Sequence, residues 1–383
     1  MKNLLKYVFI LIILSFPAQL NAQWAIMKSD ADSLVQLGRY YVYNVKFDEA
    51  EDAFKQVIDK YPDHPVGYFL ESMVLWWKTK LFTTTNRYND EFIDKITEVV
   101  EVSDRLLEKN PMDINALFFK AGALGYRGRF YAERESWLKA ASDGSEAFSL
   151  LQECRKIAPN NHDIMLGTGL YNYFAKVIPE KYPITKPILT FLPRGDKSLG
   201  LYQLKAAANH ARYADVEALV TLMQIYTSFE KDIHKSLEYS KQLLETYPDN
   251  PYFHRYYGRG LVRIGDYTEF EKVWREIVIR SMKEMPGYDI TLAREALYYV
   301  GTALYRERDY ETALKYFKKC DEAGRILDKD EATGFLVNAN IYIAKIYDHL
   351  GKKALAKEAY QTVLNMKEYD SSHTKAKQYL QNN

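Results

Sequence analysis

The side chains that could do chemistry are few and scattered. Asp94, Glu98, Glu101 and Asp104 stand at helical spacing, so they share one side of a helix. Paired carboxylates can divide general acid and base work between them. This row has no second feature to support such work and reads as a solvated face. Gly167-Thr168-Gly169 and Gly258-Arg259-Gly260 are short glycine pairs. A phosphate-cradling loop needs a preceding strand and a following Lys-Ser or Lys-Thr, and both pairs lack them, so tight packing is their reading. The seven histidines are dispersed, with no His-Glu-x-x-His and no Cys-x-x-Cys, so zinc is not expected. A calcium loop and a nucleophile elbow are missing as well. The residues therefore predict no enzyme, no metal and no cofactor.

The elements that carry these residues are organised around residues 31–64, ADSLVQLGRYYVYNVKFDEAEDAFKQVIDKYPDH. Leu34, Leu37, Gly38 and Tyr41 are followed at fixed offsets by Ala50, Phe54, Val57 and Pro62. Small residues let two helices approach closely, and large ones fill the gap to the next pair. Pro62 cannot continue a helix, and Asp63 can cap the following one. This pattern resembles the tetratricopeptide repeat, a helix-turn-helix unit of about 34 residues. The resemblance implies an all-α, right-handed solenoid of stacked hairpins that binds proteins or peptides, each hairpin propped by its neighbours.

The pattern recurs near 65–112, 115–160, 161–213, 215–250, 251–285, 294–327 and 337–370. That predicts about eight repeats, followed by a polar capping helix over 374–380 with Ser371 or Ser372 as its cap. Tyr247-Pro248-Asp249-Asn250-Pro251 echoes Tyr61-Pro62-Asp63-His64-Pro65. The second and third repeats carry extra residues between their helices, roughly fifteen in the second by the standard period. In the third the surplus is 128–142. The fourth holds an insert, 177–196, whose Pro179, Pro183, Pro187 and Pro193 argue against a regular long helix. Cys154 and Cys320 occupy the small buried position that Val57 holds in the first repeat, which predicts free thiols.

Composition agrees with a folded chain and narrows its partners. Of 383 residues, 47% are hydrophobic and 27% charged, and the formal net charge is +1. That balance argues against nucleic acid. Lys2 and Lys6 precede an apolar run, 7–16, then Pro17 and a Leu20-Asn21-Ala22 cleavage-like site. This reads as a signal peptide over 1–22, too short to span a bilayer, and predicts export to a bacterial periplasm or outer surface, with the repeats over 23–383.

The resemblance also implies which residues face the binding groove. Its inward offsets fall on Phe69, Met73 and Trp76, on Phe119 and Tyr126, and on Ile164, Thr168 and Tyr171. Further on they fall on Tyr252, Arg255 and Arg259, on Tyr298 and Tyr305, and on Lys345. The expected partner is a protein or peptide segment with apolar anchors and an acidic end, because arginine forks hold carboxylates and aromatic rings bury large areas. The competing expectation is a small-molecule or cell-wall-fragment binder with the insert as lid. Apart from a lid, the insert could be a partner-docking arm or touch a membrane; its sparse basic content argues against membrane contact.

Overall fold

The computed structural model describes residues 29–190, 192–329 and 331–382. The expected signal segment lies outside them. The described residues form helices and turns, with no strand among them. Eight hairpins follow one another: α1 Ser29–Tyr43 with α2 Phe47–Lys60, α3 Pro65–Leu81 with α4 Arg87–Lys109, α5 Ile114–Ala132 with α6 Trp137–Ile157, and α7 Asp163–Lys181 with α9 Lys197–His210. A 3-10 turn, Pro183–Thr185, and the single-turn α8 Lys186–Leu189 lie inside the fourth. Then come α10 Asp215–Ser228 with α11 Ile233–Thr246, α12 Pro251–Ile264 with α13 Tyr267–Met282, α14 Ile290–Arg306 with α15 Tyr310–Leu327, and α16 Gly334–His349 with α17 Lys353–Leu364. Helix α18, Ser372–Asn382, closes the chain.

A single packing rule joins the two helices of several hairpins. A Cβ on Gly38 would stand 2.2 Å from Phe54, one on Gly258 2.8 Å from Trp274, and one on Gly301 3.0 Å from Phe317. In each case the ring lies sixteen residues after the glycine. In α16 and α17 the same spacing joins Ala344 to Tyr360, both buried. The rings press against the facing helix at these positions, which only the smallest residues permit.

Capping follows residue type. Asp113, Asp196, Asp232, Asp266, Asp289 and Asp309 each accept the backbone N–H three residues on, and Asn250 accepts those of Tyr252 and Phe253. Before α3 the acceptor is His64 Nδ1, which takes the Val66 N–H at 3.2 Å, so Asp63 is not its cap. At α18 the expected serine cap does not form. Ser372 Oγ instead accepts the Tyr369 N–H, at a turn where Asp370 and Ser371 take positive φ.

The extra residues of the second and third repeats are helical. The turn between α3 and α4 is only 82–86, and that between α5 and α6 only 133–136. In the longer hairpin, Arg127 Nε and Nη2 donate to both oxygens of Asp143 at 2.8 and 2.9 Å. That fork ties the extensions together where surplus residues between the helices were expected. Helix α7 runs through Pro179 to Lys181, so the insert starts later than its prolines suggest.

The described chain divides into two compact units. Unit 1 comprises 29–42, 47–75 and 89–222; unit 2 comprises 43–46, 76–88 and 223–382. Unit 1 is not a simple nearest-neighbour stack. Arg39 on α1 donates to the Arg212 carbonyl at 3.0 Å and pairs with Asp215, and Asp32 pairs with Arg212 and accepts from Tyr213. Buried Asp163 accepts the N–H groups of Tyr213 and Ala214 at 2.8 and 2.9 Å. In unit 2, Asn250 donates to the Tyr43 carbonyl at 2.9 Å, and Trp77 packs edge-on to Phe253. Both cysteines are free and buried, and burial pushes each thiol up to about 12.

Candidate functional site

The expected groove residues divide sharply between core and surface. In unit 1, Phe69, Phe119 and Tyr126 do meet, with ring centroids 5.5 and 6.0 Å from Phe69. They meet each other rather than open space. Phe119 is 4% exposed, and Tyr126 bonds to buried Glu217 on α10. Burial, then that carboxylate, holds the Tyr126 phenol well above its usual range. Tyr171 stacks on Phe148 at 3.9 Å and donates to the Pro193 carbonyl at 3.0 Å, so the end of the insert covers it. In unit 2, Trp76 is 2% exposed beneath the Lys80 ammonium and belongs to the core. These side chains are apolar or amphipathic, and the chain supplies their cover.

Met73, Ile164 and Thr168 are buried in unit 1 as well, and the remaining expected residues lie in unit 2 on first helices of successive hairpins. Helix α12 presents Tyr252, Arg255, Tyr256, Arg259 and Arg263, at four-residue steps that keep them on adjoining stripes. Opposite them, α14 presents Glu295, Tyr298 and Tyr299. Glu295 is buried and takes both arginines, Arg255 Nε at 2.8 Å and Arg259 Nη2 at 2.8 Å. The guanidinium groups stay 29% and 41% exposed while the carboxylate is 1% exposed. Burial disfavours the Arg259 charge, but Glu295 outweighs it and holds the guanidinium protonated. Glu295 thus fixes the fork and leaves its outer edges to solvent. Tyr299 lies within the field of Arg259, Arg263 and Arg255; burial, then Glu295, raises its phenol. Gln224 on α10 donates to the Tyr252 hydroxyl at 2.6 Å, which itself donates to the Tyr256 hydroxyl at 3.4 Å.

The aromatic part continues onto α16. Tyr298 and Tyr305 lie 6.1 and 5.0 Å from Tyr342, whose ring stacks on Phe317 at 4.7 Å. Lys345 sits 5.5 Å from the Tyr342 ring, and burial, then Lys375, lowers its affinity for a proton. Tyr305 also meets His349 at 3.1 Å. Glu295, Tyr256, Arg263 and Tyr299 were not among the residues the repeat offsets selected. Arg263 continues the four-residue step from Arg255 and Arg259, so that signal was present. Glu295 carried none, because its role depends on α12 and α14 being packed neighbours.

Among the described residues no group of three or more His, Cys, Asp or Glu is placed to hold a metal. No described helix is long and apolar enough to cross a membrane. Two of the four carboxylates in the row on α4 pair with lysines, Glu98 with Lys95 at 3.1 Å and Asp104 with Lys120 at 2.8 Å.

Comparison with known proteins agrees with this architecture. Tetratricopeptide repeat profiles match residues 32–64, 295–322 and 338–370. No curated protein matches the chain. Among solved structures, the C-terminal part of a TPR repeat-containing protein from Cytophaga hutchinsonii is 17% identical, with 77% of this chain and 99% of that chain covered and a TM-score of 0.46. Pseudomonas aeruginosa pilF is 11% identical, with 67% and 96% covered and a TM-score of 0.42. Yeast Tom70 is 11% identical, with 93% and 89% covered and a TM-score of 0.38.

Proposed function

The chain is a tetratricopeptide repeat protein, an all-α solenoid of hairpins of the kind that serves as a protein-interaction scaffold, and from that premise we propose that it holds an acidic segment of a partner protein against α12 and α14. The observation that carries this is the Arg255–Arg259–Arg263 stripe. Two guanidinium groups share one buried carboxylate and Arg263 follows one helical turn on, so the surface keeps excess positive charge beside half-buried tyrosines. Both arginines of the fork are already oriented, so binding orders few new rotors. A carboxylate of the partner would accept from the outer edges of the fork, and an apolar or aromatic anchor would lie on Tyr256 and Tyr299. Lid closure over a small ligand has less support, since Ile184 in the insert is 77% exposed rather than turned over a cavity. The signal-like start at residues 1–22 supports the export part of this proposal, with a partner in the periplasm or at the outer cell surface.

The test uses a photo-crosslinking residue at Tyr256 in cells, followed by identification of the captured protein. Arg263→Glu should remove the crosslink while leaving helicity unchanged, because Arg263 is exposed and takes no part in the Glu295 fork. An unchanged crosslink in Arg263→Glu would sink the charge reading. Reversing Arg255 and Arg259 is the wrong variant, because it would strand buried Glu295 among like charges.

A further inference from the structure

The arginine stripe of unit 2 holds more charge and more donors than its own carboxylate uses. Arg255 Nε and Arg259 Nη2 both donate to Glu295 Oε2 at 2.8 Å, which sets two guanidinium groups side by side on one oxygen. Arg259 Nε takes the other oxygen, Oε1, at 2.5 Å. Two neighbouring cations repel, and a single carboxylate leaves the pair with net positive charge. Nη1 of each arginine has no hydrogen-bond partner among the described residues, and both side chains keep solvent access. Arg263, one turn on, is exposed, and its one hydrogen bond among the described residues is a long one, 3.5 Å to the Thr227 carbonyl.

The charged groups around Tyr299 show the same balance: Glu295 on one side, and Arg259, Arg263 and Arg255 on the other. Three guanidinium groups against one carboxylate leave an excess of two positive charges. The whole chain is nearly neutral, at +1, so this excess is local.

We propose that the segment held at this stripe carries a phosphorylated side chain, its phosphoryl group seated on the free Nη1 edges of Arg255 and Arg259 and on Arg263. This rests on the reading of α12 and α14 as the site of an acidic partner segment, and narrows what that segment presents. A carboxylate brings one charge and two coplanar oxygens, which a single guanidinium fork satisfies. A phosphomonoester brings roughly −1.5 to −2 charges at neutral pH and three strong acceptor oxygens. Its charge matches the excess, and its tetrahedral oxygens can accept from more than one guanidinium plane. Half-buried Tyr256 and Tyr299 beside the arginines offer a face to an aromatic ester, so phosphotyrosine is the probe.

Binding is read on the full chain by fluorescence anisotropy, with rhodamine-labelled peptides that carry glutamate at alternate positions. They differ only at the central residue, which is phosphotyrosine, glutamate or tyrosine. The phosphotyrosine peptide should bind about tenfold or more tighter than the glutamate peptide at neutral pH. That advantage should shrink on acidification to about pH 5, because the phosphoryl group takes up its second proton near pH 6. His254, on the buried side of α12, does not titrate in this window, since burial, then Arg280, pushes its proton affinity down to about 3. Arg263→Glu should abolish the advantage with helicity unchanged, and Arg263→Gln should reduce it. Phenyl phosphate should displace the phosphopeptide at about a tenth of the concentration that inorganic phosphate requires, because its ring adds contact area. Equal binding of the phosphotyrosine and glutamate peptides, both lost in Arg263→Glu, would overturn the phosphoryl group and leave the acidic-segment site standing. Binding of neither peptide, or binding that Arg263→Glu leaves unchanged, would overturn both. Inorganic phosphate as effective as phenyl phosphate would assign the stripe to the free ion and overturn a partner-borne group.

Discussion

Gly38 shows how little room the hairpins leave. A methyl there meets Phe54 at 2.2 Å, so Gly38→Ala should destabilise by about 1–3 kcal/mol, read from the urea midpoint. Gly125, in the exposed middle of α5, meets nothing within 4 Å. Gly125→Ala should stabilise by roughly 0.5–1 kcal/mol in the same assay, since only backbone entropy changes. Asp163 supplies a titration test. Burial raises its carboxyl above the usual value, against the pull of the Tyr213 and Ala214 N–H groups. The folded state therefore binds its proton more tightly than the unfolded chain does. The stability this contributes is present below the ordinary carboxyl range and is lost as pH rises through the raised value. Asp163→Asn keeps an acceptor for both N–H groups and removes the buried charge. Its stability relative to wild type should thus rise between about pH 4 and neutrality, followed by denaturation at stepped pH.

At the scale of the element, the lengthened hairpin α5–α6 depends on a polar tie. Arg127 and Asp143 are only 19% and 11% exposed, so cutting the fork from one side leaves a charge with little water. Asp143→Ala should cost about 2–3 kcal/mol. Pairing it with Arg127→Met should recover part of that loss, and a double-mutant cycle on chemical denaturation measures the recovery. Extra residues became helix here because both helices of the hairpin are lengthened together. Gly128 allows this, since its missing side chain leaves space against the Ala140 carbonyl, which a Cβ would approach to 3.2 Å.

For the molecule, the consequence of the Asp32–Arg212–Tyr213 and Arg39–Asp215 contacts is that unit 1 should not unfold as a one-dimensional array. Residues about 180 positions apart support each other there. Asp32→Ala with Arg39→Ala should lower hydrogen-exchange protection at 215–222 as well as at 29–42. A nearest-neighbour stack predicts loss at 29–42 alone. The same contacts explain why the aromatic residues of unit 1 are interior: Tyr126 reaches Glu217 on the helix that Arg39 also holds.

The amino-acid sequence by itself determined the helix class, the succession of hairpins and most of their ends. These depend on local spacing: a glycine sixteen residues before a ring, or an aspartate three before a backbone N–H, acts whatever lies elsewhere. It also placed Tyr252, Arg255 and Arg259 on adjoining stripes of one helix. Tertiary structure alone decided which of the expected groove residues are available. Phe119 and Trp76 follow the same offsets as Arg259, yet two are buried and one is partly open. That difference comes from what packs against each face, Glu217 and the aromatic cluster in unit 1 and the Glu295 fork in unit 2. Periodicity assigns a side to a residue, and only long-range contact assigns what that side meets.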